Sequence, residues 1–425
     1  MAKSPQELYQ EREKRIQDAT ELKVPDRIPI SPLDSGWFVK YGGISWQQAF
    51  YDIEKVIAAK RKMVLETDLD CFFAPAVLSP GSAYDLLDMK EVRWAGAKNA
   101  ESTVDPNNVF QFVEPGTGYE AMPAEDYDLF LDDPTDYIIR RHWPKIMGAM
   151  APLRNLPPLH TLVAYYVGIQ DFNVFGTPEI AGALEALVEA GKKQASHNDA
   201  IAPFIGEMVA AGYPPVALAF SIAPFDYFAD FFRGTRGCMI DMYRCPAKLK
   251  EAVDRVTPWV IDWTLNMARP AKDLCKRVFI PIHKASGGFM SEPQHREFFW
   301  PSLRAVCLAL IDEGLVPYVY TEGIYTERLE ALRDVPKGKV IYHIESDVFK
   351  AKEVLGDVAC IEGGPSGPML NTGTPQDVRD YCKKLIDICG KGGGFMMGSE
   401  LPLLTARPEN IKAMIDFTKE YGVYK

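Results

Sequence analysis

Eight times along the chain, a short continuous apolar run ends in a small or polar tip and gives way to a helical pattern. The runs lie near 28–33, 70–78, 215–222, 278–283, 315–320, 340–344, 357–361 and 394–398. A strand with no polar alternation belongs in a parallel sheet covered on both faces. Alternation with helices makes the class α/β, and eight such units predict a closed (β/α)8 barrel. A nine-strand parsing or an open sheet remains compatible with the same runs. The 425 residues are read as one barrel domain, 1–425, preceded by a capped, solvated helix over the first 25 residues to which no role is assigned. An insertion at 80–213, between the second and third runs, is expected to cap the barrel mouth. It carries a polar region around 95–120 and helical patterns near 134–151 and 178–211.

Composition narrows the partners. Asp and Glu number 58 against 47 Lys and Arg, a net charge of −11, and no basic run offsets it. Such a surface repels phosphate backbones, so nucleic acid is not expected. No apolar window reaches the roughly 18 residues of a membrane span, and the N-terminus shows no signal-peptide core. The 8 cysteines, at 71, 238, 245, 275, 307, 360, 382 and 389, form no C-x-x-C pair. Reduced thiols and a cytoplasmic location are therefore expected.

In a barrel, chemistry sits at the C-terminal ends of the strands. The tips of the later runs offer His283, Glu322, His343, Glu345, Cys360 and Glu400. An imidazole, a carboxylate and a thiol from three strands suit tetrahedral zinc with one open position, so His283, Glu322 and Cys360 are the expected metal ligands. Glu345, Glu400 and Asp34 are the expected proton-handling groups. Trp37, Tyr84 and Phe225, from a front half crowded with aromatics such as Tyr165 and Tyr166, together with Tyr320, are the expected wall of a substrate pocket. His142, after Arg140 and Arg141, is expected to face solvent. No dinucleotide or P-loop glycine pattern and no G-x-S-x-G elbow is present.

Three segments carry a resemblance: Gly373-Thr374-Pro375-Gln376-Asp377-Val378, Gly392-Gly393-Gly394-Phe395 and Arg407-Pro408-Glu409-Asn410-Ile411. Phe298-Phe299-Trp300-Pro301 and Ala223-Pro224-Phe225-Asp226 support it. Together they resemble the uroporphyrinogen decarboxylase superfamily, which also contains cobalamin-dependent methyltransferases. The resemblance implies a TIM barrel, and the departures from it choose a branch. The decarboxylases' Arg-Gln-Ala-Gly-Arg-Tyr motif is met by Pro32-Leu33-Asp34-Ser35-Gly36-Trp37-Phe38, without arginine. Their Phe-Ser-Asp-Ile aspartate is met by Ala74-Pro75-Ala76-Val77-Leu78. The methyltransferases' His-x-Cys zinc pair is met by Tyr320-Thr321-Glu322, and their later cysteine falls near Ser399-Glu400. The resemblance thus implies a methyltransferase passing a methyl group from a small methylated donor, such as a methoxylated aromatic or a methylamine- or thioether-like compound, to cob(I)alamin on a separate corrinoid protein or as free cofactor. Zinc is the expected metal, with a homodimer left open. The alternative is a decarboxylase of another carboxylated small molecule, with Arg93, Arg233 or Arg236 as its clamp. A non-catalytic subunit that docks a corrinoid protein is the third reading.

Overall fold

The computed structural model describes all residues except 1–2, 32–33, 35, 76–78, 106–107, 164–167 and 401–402. The inserted region carries three short strands: β1 (Val92–Ala95), β2 (Thr103–Val104) and β3 (Gln111–Phe112). Six further strands form one sheet in the order of the chain: β4 (Ala219–Phe220), β5 (Arg277–Ile282), β6 (Val316–Thr321), β7 (Ile341–Ile344), β8 (Cys360–Gly363) and β9 (Phe395–Met397). Every neighbour in this sheet is parallel, and helices separate successive strands, among them Pro246–Ala268, Trp300–Asp312 and Pro375–Cys389.

Two earlier segments close the ring. The N–H of Ser31 donates to Met397 O at 2.9 Å and that of Met397 to Pro29 O at 2.8 Å. Asp70 N donates to Ile30 O at 3.2 Å, and Val216 N to Phe72 O at 2.8 Å. The eight apolar runs are thus the eight staves of a (β/α)8 barrel. The first two are held by isolated bridges. Prolines at 29, 214 and 215 lack the N–H that a continuous ladder needs.

The first helix, Pro5–Thr20, starts at a Ser4/Glu7 capping box as its sequence predicts. It is not merely solvated. Ile16 and Ala19 join the apolar cluster at the barrel floor with Cys71, Val216 and Ile341. Arg15 reaches the fully buried Asp70 at 2.7 Å, and Glu13 takes Arg277 at 2.7 and 2.8 Å. The helix plugs the bottom of the barrel because its inner face is apolar and its flanking charges find buried partners.

The insertion holds a satellite core around Met147, Met150, Leu153 and Ile180, and returns through the long helix Pro178–Ala210. It meets the barrel top where Glu114 approaches Lys284 at 3.4 Å and Phe112 packs edge-on to Phe231. His142 lies in a π-turn, Ile138–His142, and is 5% exposed, stacked on Phe232 at 4.2 Å. The neighbouring arginines suggested an exposed face, but the wider π-turn rotates the imidazole inward.

Candidate active site at the barrel mouth

Successive residues of a strand face opposite sides of the sheet. In β5 to β9 one parity, including Ile280, Val319, Tyr342, Ile361 and Phe395, packs into the main core with the helices. The other parity, including Phe279, Tyr318, Tyr320, Ile341, Cys360 and Met396, packs as a separate cluster inside the barrel. Strand register sorts this lumen into levels. Phe279, Tyr318, Ile341 and Cys360 share the floor. Tyr320, His343, Glu362 and Met396 share the middle. His283, Glu322, Glu345 and Glu400 follow the strand ends and form the rim.

The lumen has two unlike walls. On the aromatic side Phe279 is the hub, with Phe73 at 5.3 Å, Phe220 and Tyr318 at 5.7 Å and Tyr320 at 6.0 Å between ring centroids. Phe220 is 41% exposed. The other side is acidic. The Tyr320 hydroxyl donates to Glu345 Oε1 at 2.5 Å, and the N–H of Gly323 holds Glu345 Oε2 at 3.0 Å. Gly323 has φ +92°, a conformation that an L side chain adopts only under strain. Burial and the charges of Glu345, Glu322 and Glu400 push the Tyr320 hydroxyl far up, so it stays a donor. Glu400 accepts from Gly367 N at 2.9 Å. Burial, with Glu345 facing it, raises Glu400 above the usual carboxylate range, against the pull of Gly367 N–H and His343.

Below the rim, His343 and Glu362 are both wholly buried, 3.6 Å apart from Nδ1 to Oε1. Glu362 Oε2 accepts the Tyr318 hydroxyl. Both ring nitrogens of His343 and Glu362 Oε1 have no hydrogen-bond partner among the described residues. Gly398 leaves room there, since a Cβ would lie 2.7 Å from Glu362 Oε1.

The opposite corner is more densely paired, with Asp230 Oδ1 left without a hydrogen bond among the described residues. The helix Pro224–Phe231 follows β4 at once and brings Asp226 and Asp230 under the end of β5. Asp226 accepts the N–H groups of His283 at 2.8 Å and Lys284 at 3.2 Å. Asp230 Oδ2 takes His283 Nδ1 at 2.7 Å, while Lys284 Nζ stands 3.3 Å from Oδ1. His283 Nε2 faces Glu322 at 3.4 Å. Burial opposes a charge on His283, but the hydrogen bond and charge of Asp230, with Asp226 and Glu322, lift it to about 9. Asp226 is raised by burial and by Asp230 beside it.

The structure therefore gathers His283, Glu322, Glu345, Glu400 and Tyr320, but not the others. Cys360 is level with Phe279, four residues below His283, about 13 Å down the strand at 3.3 Å per residue. The apolar run led to its strand start, not its tip. Burial pushes its thiol up beside Lys352. The set of His283, Glu322 and Cys360 is corrected accordingly. Among the described residues, the side chains whose ligand atoms converge, all within 4.8 Å, are Asp226, Asp230 and His283, and these could hold a metal ion. Two carboxylates and an imidazole fit a divalent cation in composition. Asp34 is spent on a buried ion pair with Lys60 and on the N–H groups of Gly36 at 3.2 Å and Phe38 at 3.3 Å. Trp37 is buried, donating to Ala406 O at 3.0 Å. Tyr84 packs on Trp94 at 5.2 Å, and Phe225 is 0% exposed against Phe299. None of these three reaches the lumen cluster. Tyr165, Tyr166 and the 76–78 part of the aspartate comparison lie outside the described residues.

Asp226 and Asp230 were missed, although an i, i+4 acid pair opening a helix right after an apolar run was a usable signal. Glu362 was missed too, a carboxylate inside the strand rather than at its tip.

The family model for "Uroporphyrinogen decarboxylase (URO-D)" matches residues 200–421. Among curated proteins, the uroporphyrinogen decarboxylase of Chlorobium phaeovibrioides is 23% identical over 185 residues, 42% of this chain and 51% of that protein. The same enzyme of Chlorobium luteolum is 24% identical over 188 residues, again 42% and 51%. The chain spans about half the length of these relatives. A methyltransferase from Methanosarcina mazei has the same fold at a TM-score of 0.59, with 15% identity, over 96% of this chain and 98% of that one.

Proposed function

This chain belongs to the uroporphyrinogen decarboxylase family, and within it we propose a methyltransferase that moves a methyl group from a small methylated donor to cob(I)alamin on a separate corrinoid protein. One observation carries this reading. The barrel mouth presents Glu322, Glu345 and Glu400 around the Tyr320 hydroxyl. A pocket of that sign suits a neutral or cationic donor and repels a polycarboxylate.

Glu345 fixes the Tyr320 hydroxyl, and Tyr320 with Glu345 orients the donor. Glu400, raised above the usual carboxylate range by burial and by Glu345, completes the same rim. The aromatic wall of Phe279, Phe73 and Phe220 excludes water from the methyl being moved. Asp226, Asp230 and His283 would hold a divalent ion, with zinc our choice, and such an ion would supply Lewis acidity at the rim. The corrinoid protein is a substrate here and docks over the mouth. Eight free cysteines, seven of them buried, fit a reducing cytoplasm. No helix among the described residues is long and apolar enough to cross a membrane.

The curated relatives favour a second reading, a decarboxylase acting on another carboxylated molecule. Its clamp is poorly supported. Arg233 is committed to Asp241 at 2.6 and 3.0 Å and to Met122 O, while Arg93 and Arg236 are exposed. The deciding experiment incubates the purified chain with a reduced corrinoid protein and a panel of methoxylated aromatics and methylated amines. Formation of methylated corrinoid, followed by its absorbance, is the expected result. Release of carbon dioxide from carboxylated substrates, with no methyl transfer from any donor, would overturn it.

A further inference from the structure

The two walls of the lumen select a charge as well as a shape. Tyr320 stands at their junction. Its hydroxyl is gripped by Glu345, its ring stacks with Phe279 at 17° between planes, and His343 lies 5.2 Å away. Beneath it, Glu362 Oε1 is fully buried and without a hydrogen-bond partner among the described residues, as is each ring nitrogen of His343. A buried carboxylate oxygen and imidazole left open is costly unless something enters to satisfy them. The cationic side chains nearest the rim, His283 and Lys284, are already matched by Asp230, Glu322 and Glu114. What the well lacks is a positive charge that offers apolar surface.

We propose that the methyl donor is a quaternary or tertiary methylammonium compound, its head held against the aromatic faces of Phe279 and Tyr320 and facing Glu345, Glu322 and Glu400. This rests on the methyltransferase reading above and names its substrate class. Aromatic rings attract a methylated ammonium through their negative faces while packing its methyl groups, and carboxylates around them set the sign. A methoxylated aromatic would bury its ring as well but would bring no positive charge to the carboxylates of the rim.

The chemistry balances without an added acid. The carbon–nitrogen bond breaks and its electron pair stays on nitrogen, which leaves as a neutral amine. The new bond to the methyl carbon is made from the electron pair of the reduced corrinoid, the two-electron nucleophile. No proton moves. Positive charge on nitrogen falls in the transition state, so the carboxylates favour the bound donor more than the transition state. They are binding groups for this donor, and their loss should raise KM without lowering kcat.

The test uses an isosteric pair on the full chain. Choline and 3,3-dimethyl-1-butanol share a shape and differ by the charge. Calorimetry should find choline bound about tenfold tighter or more, with that preference lost in Glu345→Gln and weakened in Phe279→Leu. Equal affinity of wild type for the two compounds, or displacement of choline by the alcohol at matching concentration, would overturn the proposal without reliance on any variant folding. Methyl transfer separates the two readings. Choline binding with no transfer from any methylated donor, ammonium or methoxylated, would sink the methyltransferase and leave only the cation site. Transfer from a methoxylated aromatic but not from an ammonium would keep the methyltransferase and sink this donor.

Discussion

Two histidines end up at the lumen of one barrel in opposite conditions. His283, after β5, has Asp230 at 2.7 Å on one ring nitrogen and Glu322 at 3.4 Å on the other, with Lys284 completing the balance. Among the described residues His343, in β7, has neither nitrogen hydrogen-bonded and one carboxylate at 3.6 Å. The first corner is held by charge, although Asp230 Oδ1 makes no hydrogen bond among the described residues and meets Lys284 only as an ion pair at 3.3 Å. The second is incomplete until a ligand arrives, and its geometry is held by the strands around it. A carboxylate removed from the first should therefore be felt in folding. A carboxylate removed from the second should be felt in binding.

The largest effect is expected at Asp230→Ala. It strands His283 and Lys284 without their shared partner, and stability should fall by roughly 3–5 kcal/mol, read as a drop in thermal midpoint. A loss below about 1 kcal/mol, the size of a surface pair, would erase the contrast between the corners.

His142 supplies the limiting case of an unpartnered imidazole that packs rather than binds. It is stacked on Phe232, and burial, aided by Lys145, pushes it down to about 4. An unfolded histidine titrates near 6.5. Above that pH both states are neutral. As pH falls from about 6.5 toward 4 the unfolded state alone gains the proton, so stability is lost there, by roughly 3 kcal/mol in all. His295, also pushed down by burial, to about 3, acts in the same direction. His142→Phe should flatten the denaturant-midpoint curve between pH 6.5 and 4, and an unchanged slope would refute the assignment.

Glu362→Gln tests the incomplete side. The Tyr318 hydroxyl keeps an acceptor, so the cost in stability should stay within about 1 kcal/mol, while choline affinity drops several-fold. A large destabilisation with unchanged affinity would move Glu362 into the folding class. The smallest expected effect is none: Cys360→Ser should leave metal content by elemental mass spectrometry, and turnover, as in wild type. Asp230→Asn should lower any metal that the wild type retains. Loss of metal in Cys360→Ser would restore the thiol to the site.

The staves of the barrel were legible because continuous apolar runs have few other destinations, and all eight stand where the pattern put them. The rim positions of His283, Glu322, Glu345 and Glu400 were legible for the same reason: a place just past a strand end is set by chain order. Tyr320 was too, one step inside its strand. Cys360 was misread because a run can be entered from either end, and only the register against Ile341 shows which end a residue occupies. Asp34, Trp37 and Phe225 were misread for another reason. Their partners, Lys60, Ala406 and Phe299, are distant in sequence, and nothing local announces that a polar or aromatic residue is already spoken for. The first helix hid its role likewise, since its apolar residues are few and matter only against the floor they meet.

That helix has a kinetic consequence. With Ile16 and Ala19 seated under Cys71, Ile341 and Met396, the lumen is a blind alley with one door. Two reactants that meet in it cannot arrive from opposite sides. On the proposed methyl transfer the smaller must go in first and the larger follow, and the demethylated product can leave only after the larger has undocked. Initial rates should then follow an ordered sequence, and excess corrinoid protein, by standing in the doorway, should inhibit the reaction it completes.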